Sequence, residues 1–156
     1  MNKSRKLVTV GVTMLLVVLL TAFTAGPIFN FISNSSNSVA PSVTVSKSAC
    51  NRPAGFILII ADLSGFNNSI GHGAPIHPWP VVNVQRGQVV QFLVCNLDNT
   101  QAHGFAITYY FEVGVPILPG EAYRIVFIAT RSGTFSIFCN IFCTIHIYMR
   151  SELIVT

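Results

Sequence analysis

Four side chains able to bind a soft metal fall within eleven residues near the C-terminal end of the chain. Cys139, Cys143, His146 and Met149 all lie in the stretch GTFSIFCNIFCTIHIYMR, residues 133–150. Two thiolates, an imidazole and a thioether form a soft-to-borderline donor set, which favours copper over oxygen-seeking cations such as magnesium or calcium. Structural zinc competes for cysteine and histidine, but it closes four nitrogen or sulfur ligands around the ion and rarely takes methionine. A fifth candidate donor, His103 in AHGF, stands well upstream. A donor set split between one distant histidine and one short loop requires a scaffold that brings the two segments together.

The sequence suggests what that scaffold is. FILIIA (56–61), VVNVQRGQVVQFLVCN (81–96), FAITYYFEV (105–113), AYRIVFIA (122–129), TFSIFC (134–139) and ELIVT (152–156) are short apolar runs punctuated by turn residues. Runs of this length rich in β-branched and aromatic residues read as strands, and the segment VVNVQRGQVVQFLVCN reads as a hairpin or a kinked strand around Arg86-Gly87. GFNNSIGHGAPIHPWP (65–80) has too many Gly and Pro residues for regular structure. No segment beyond the N-terminal region sustains a helical period. The expected fold is all-β, a Greek-key sandwich or barrel over residues 49–156. His72 and His77 have no cysteine or carboxylate close by in sequence and read as turn or surface residues. Trp79 reads as a packing residue or as part of a docking surface. Tyr109 and Tyr110 read as ordinary strand residues.

The N-terminus is organised differently. A basic head, MNKSRK, precedes a run from Leu7 to Phe29 without a charged residue. At ~1.5 Å per residue such a helix crosses a hydrocarbon core of ~30 Å. Residues 1–29 therefore read as a single membrane anchor with a cytoplasmic N-terminus, which places the rest of the chain on the outer face of the cell membrane. A cleaved signal peptide shares this layout. The length of the run and bulky Phe23 ahead of a cut after Ala25 favour a retained anchor. Residues 30–48, NFISNSSNSVAPSVTVSKS, are rich in Ser and Asn and read as a tether.

Charge and cysteine usage narrow the function classes. Lys3, Arg5 and Lys6 supply most of the formal +4, and from Asn30 onward six basic residues face five acidic ones. A near-neutral domain gives no ground for nucleic-acid binding. There is no nucleophile elbow, phosphate loop or zinc-protease signature. In an exported domain Cys50 and Cys95 form either a disulfide or two buried free thiols. Asn34 and Asn67 stand in Asn-X-Ser triplets, the acceptor pattern for glycosylation.

With the order of segments read, a resemblance emerges. VVNVQRGQVVQFLVCNLDNTQAHGF (81–105) resembles the cupredoxin segment that leads into the first histidine ligand. VPILPGEAYRIVFIATRSGTFSIFC (115–139) resembles the strands that follow, with their Pro-Gly turn and Gly-Thr-aromatic approach to cysteine. A Cys-x-x-x-Cys closely followed by His and Met is similar to the CuA domain of subunit II of haem-copper terminal oxidases, and nitrous oxide reductase carries a similar domain. The single N-terminal anchor is similar to the short subunit II of some bacterial and archaeal oxidases.

The resemblance implies a dinuclear copper centre. Cys139 and Cys143 would bridge two copper ions, His103 and His146 would each bind one, and Met149 would be a weak ligand. The main-chain carbonyl of Ile141 would complete the set. Isoleucine stands where family members that bind magnesium carry glutamate, so no magnesium site is expected. The implied role is the electron-accepting subunit of a respiratory terminal oxidase. It would take electrons from a cytochrome c or a small blue copper protein and pass them to haem in the catalytic subunit, with no catalysis of its own. The family has three residues between the second cysteine and the histidine, whereas here Thr144 and Ile145 make two. The segment CTIHIYM (143–149) is similar instead to the short ligand loop of amicyanin-type blue copper proteins. The alternative is a membrane-tethered mononuclear blue copper carrier using His103, Cys143, His146 and Met149, with Cys139 idle.

Overall fold

Alternating burial along the apolar segments builds a two-layer structure. Successive residues of a strand face opposite sides, so an alternating pattern buries one face and leaves the other to solvent. The computed structural model describes residues 41–156. Ten strands are assigned: β1 (Thr44–Ser48), β2 (Ile57–Asp62), β3 (Gly65–Phe66), β4 (Val81–Val84), β5 (Val89–Asn96), β6 (His103–Ile107), β7 (Phe111–Ile117), β8 (Ala122–Ile128), β9 (Gly133–Phe138) and β10 (Arg150–Val155). In β4 and β10 alternate residues are buried, whereas β6 is buried along its whole length.

Two five-stranded sheets result, in the orders β1-β8-β5-β2-β3 and β4-β10-β9-β6-β7. The β2–β5 and β4–β10 pairs are parallel and the other neighbours antiparallel. Phe66, Phe92, Phe105 and Phe127 fill the core with Ile59, Ile107, Ile125, Ile137 and Leu153. Each such side chain contributes ~1.5–3 kcal/mol by burial. The expected all-β sandwich is therefore observed.

Local details differ from the sequence reading. Residues 44–48, assigned from sequence to the tether, form β1 and pair with β8 from Thr44↔Val126 to Ser48↔Ala122. This strand is mostly exposed and is held by backbone pairing and by an ion pair between Lys47 and Glu121. Composition does not register such a strand, because it buries almost no side chain. VVNVQRGQVVQFLVCN is neither a hairpin nor one kinked strand. β4 joins β10 and β5 joins β8 and β2, so the Arg86-Gly87 turn carries the chain from one sheet to the other. FAITYYFEV divides into β6 and β7 at a turn where Tyr109 has a φ of +69° and its N–H donates to Glu112.

Cys50 and Cys95 are joined as a disulfide. Closing a loop of 45 residues stabilises the fold by about 4 kcal/mol in the chain-entropy description. The Asn67 amide nitrogen donates to Leu58 O at 3.1 Å, which ties the side chain to β2. The expected anchor (1–29), most of the tether and Asn34 lie outside the described residues. Among the described residues no helix is long and apolar enough to cross a membrane.

Candidate metal centre

Adjacent strands of the second sheet bring the two distant donor segments together. β9 pairs with β6 through Ala106↔Phe138, so Cys139, one residue beyond β9, lies beside the start of β6. There the Gly104 N–H donates to Cys139 Sγ at 3.1 Å. This approach requires glycine. A Cβ at position 104 would sit 2.2 Å from Asn140 Oδ1, 2.7 Å from Asn140 N and 2.9 Å from Ile141 N. The ligand loop then turns back through a single 3-10 turn, His146–Tyr148, and β10 begins just after Met149.

The sulfurs and one imidazole meet inside the protein. His103, Cys139 and Cys143 each offer one donor atom within 4.8 Å of the others, and all three residues are buried. The two cysteine sulfurs are 3.7 Å apart and are not bonded as a disulfide. Met149 Sδ lies 3.8 Å from Cys143 Sγ, and Met149 is fully buried. His146 is only half buried and falls outside this three-residue cluster. Its Nδ1 donates to the Ile141 carbonyl at 2.8 Å, and that carbonyl also lies 3.2 Å from Cys139 Sγ. All six residues expected from sequence therefore join one contact network, with His146 reaching it through Ile141.

The electrostatics favour a bound cation. Burial disfavours the Cys139 thiolate, but the adjoining His103 ring and the Gly104 N–H outweigh it and lower the pKa to about 6. Burial pushes Cys143 up to about 12, and the neighbouring Cys139 charge adds to the shift. One sulfur is thus poised to ionise while the second needs an additional positive charge. Burial also works against a charged His103, yet the neighbouring Cys139 sulfur and the Asp98 carboxylate raise its pKa above the ordinary value.

His103 supplies the clearest test of fit. One ring nitrogen, Nε2, lies 3.1 Å from Asp98 Oδ2, while Nδ1 is buried without any hydrogen-bond partner. A buried polar atom left unpaired costs ~1–3 kcal/mol. A bound metal would remove that cost, and the Asp98 bond on the opposite nitrogen orients the ring as carboxylates do behind metal-binding histidines. The donor chemistry and the orphaned nitrogen both fit copper.

Several supporting residues were not apparent from sequence. Asp98 is buried, and burial would raise its pKa. The Thr100 hydroxyl and N–H, the Gln101 N–H and His103 outweigh that and hold it at about 2. Asn96, fully buried, binds Gln101 O and Ile117 O and accepts from the Asp98 N–H. Gln101 clasps Thr144 through side chain and backbone, joining the approach to β6 to the ligand loop. Asn140 donates to Val113 O at 2.8 Å across β7. An Asp two residues before a Thr is a turn signature, which was the one signal in sequence for Asp98. His72 stacks on Trp79 with ring centroids 4.1 Å apart, and neither His72 nor His77 joins the donor cluster. Tyr110 packs on Phe127 and Phe135 in the core.

No protein-family model matches the chain. Over 85 residues, 53% of the chain, it is 34% identical to nitrous-oxide reductase of Ralstonia nicotianae and 33% identical to that of Cupriavidus necator. The matched region spans 13% of the length of each of these relatives. Among solved structures, copper nitrite reductase from Nitrosomonas europaea superposes with a TM-score of 0.51 at 12% identity, over 68% of this chain and 50% of that one. Amicyanin from Paracoccus versutus gives a TM-score of 0.45 at 18% identity, over 73% of this chain and 97% of that one. The described domain has the cupredoxin fold, and part of its sequence is similar to part of nitrous-oxide reductase.

Proposed function

We propose that this chain is the electron-accepting subunit of a respiratory terminal oxidase, built around a dinuclear copper centre. One observation carries the metal reading. Two buried, unbonded cysteine sulfurs 3.7 Å apart face a histidine whose inward nitrogen has no partner. His103, Cys139, Cys143, His146, Met149 and the Ile141 carbonyl would hold the copper. The two-sulfur form is favoured over a single-sulfur site on Cys143 because Cys139 is not idle. It accepts the Gly104 N–H, contacts Cys143 and is the thiol whose ionisation the surroundings favour. The similarity to nitrous-oxide reductase supports the same choice, since the sequence resemblance associates that enzyme with a domain of this kind.

Bound copper would supply a one-electron redox couple. The protein keeps the donors in place, because any ligand movement on electron transfer adds to the barrier. Asp98 fixes the His103 ring through Nε2, and the Gly104 N–H stabilises negative charge on Cys139. Gln101–Thr144 and Asn140–Val113 clamp the loop to its neighbours. Above this buried set Phe142 is 96% exposed and Val113 is 89% exposed. These apolar side chains form a docking face for a cytochrome c or a small blue copper protein, and a near-neutral domain makes that docking weakly dependent on salt. The electron then passes to haem in a membrane-embedded catalytic subunit.

Purification of the full chain in mild detergent tests the subunit reading. Recovery with a haem-bearing membrane protein that the chain reduces is the expected result. A chain that purifies alone and exchanges electrons only with soluble proteins would instead be a free carrier.

A further inference from the structure

The Gly- and Pro-rich segment between β2 and β4 reaches into the site from behind. Ser69 is completely buried. Its hydroxyl accepts from the Phe66 N–H at 3.1 Å and donates to the Tyr148 carbonyl at 2.7 Å. On the other side of Met149, the Trp79 N–H donates to the Arg150 carbonyl at 2.9 Å. The carbonyls flanking Met149 are thus both held by one segment. Within the ligand loop the Met149 N–H donates to His146 O and the Met149 carbonyl accepts from the Cys139 N–H, each at 3.3 Å.

The segment is itself built to deliver Ser69. Asn67 and Asn68 adopt φ values of +46° and +60°, a left-handed pair that asparagine tolerates better than most residues. Asn67 is anchored to the edge of β2 by three bonds: its N–H to Ile60 O at 2.9 Å, its Oδ1 from the Ile60 N–H at 2.6 Å, and its Nδ2 to Leu58 O. Gly65, with a φ of +91°, leaves the space that the hydroxyl occupies. A Cβ there would lie 2.0 Å from Ser69 Oγ.

We infer that Ser69 is a positioning residue for Met149: the 67–80 segment braces the Met149 backbone and so determines how closely its thioether approaches the metal. This rests on the copper reading above. A methionine thioether would tune the potential of copper held by cysteine and histidine, as it does in blue copper sites. A brace on the methionine backbone, from a segment separate from the loop that carries the cysteines, would therefore act on the potential through Met149.

The test uses the full chain as wild type, Ser69→Ala, Met149→Leu and the double variant. In the metal-free protein, Ser69→Ala is expected to speed amide exchange at Cys139 and Met149 about fivefold, the loss of roughly one hydrogen bond. Exchange in β5 and β8 should stay unchanged. In the copper-loaded protein, Ser69→Ala is expected to shift the midpoint potential in the wild-type background and not in Met149→Leu. Unchanged exchange at Cys139 and Met149 would overturn the brace. An equal potential shift in both backgrounds, or none in either, would overturn its action through Met149. Should Ser69→Ala fail to fold, Ser69→Cys, which keeps a weak donor, decides on the same readouts. If the wild type takes up no copper the parent reading fails, and the exchange measurement still decides on the brace.

Discussion

Replacing Gly104 by alanine probes the join between the two donor segments. The added methyl would meet Asn140 Oδ1 at 2.2 Å, which a side chain can relieve by rotating, and the backbone nitrogens of Asn140 and Ile141 at 2.7 and 2.9 Å, which it cannot. The loop must therefore lift off β6. Overpacking of this kind costs ~1–3 kcal/mol, and losing the N–H bond to Cys139 adds ~1 kcal/mol. Together these predict a loss of about 2–4 kcal/mol, or about 1–2 M in the urea midpoint for a domain of this size. Copper affinity should fall about 10–100-fold, since a bond that orients a ligand is lost. Gly120→Ala is the control. It has open space around its Cβ and a φ of +73°, so it carries only backbone strain of ~1–2 kcal/mol and should leave copper binding intact. Adding Asn140→Gly to Gly104→Ala should not restore binding, because the backbone contacts remain. Urea titration of the metal-free protein and competitive copper titration give the numbers. Gly104→Ala with wild-type copper affinity and stability within ~0.5 kcal/mol would show that the close approach at Gly104 does not hold the ligand loop.

Three further outcomes follow from the same geometry. Asp98→Asn keeps the shape but removes the charge behind His103, so copper affinity should fall about 10–100-fold in a competition titration; an unchanged value would mean that Asp98 does not orient the ring. Replacing Cys50 and Cys95 by serine should cost about 4 kcal/mol in a denaturant titration while leaving the copper spectrum unchanged, since these sulfurs are separate from the donor pair. Phe142→Ser should leave stability within ~0.5 kcal/mol of wild type, because the side chain is 96% exposed. It should slow reduction by a protein donor severalfold at constant potential in stopped flow, and an unaltered rate would remove Phe142 from the docking face.

The donor atoms were legible from sequence because their chemistry is rare and their spacing tight. A cysteine pair followed by His146 and Met149 has few uses, and the resemblance to cupredoxins pointed to His103 as the partner on an earlier strand. What holds the donors was not legible. Gly104 and Asn140 matter through a close approach of backbones far apart in sequence, which no local pattern records. Asp98 acts through a bond to His103 that exists only once the turn after β5 has formed. The 65–80 segment read as a loop for sound reasons, yet its left-handed asparagines and buried Ser69 serve a contact with Tyr148, 79 positions away. β1 was hidden because it contributes hydrogen bonds and almost no burial. The open choice at Cys50 and Cys95 was closed by the pairing of β5 with β8, which fixes where Cys95 lies.

Metal content and the EPR spectrum of the oxidised, copper-loaded full chain distinguish a dinuclear from a mononuclear centre. Two coppers per chain are expected, with one unpaired electron coupled equally to both nuclei. Substituting either Cys139 or Cys143 should abolish that pattern. One copper per chain with coupling to a single nucleus, unaffected by loss of Cys139, would contradict it and leave a mononuclear carrier.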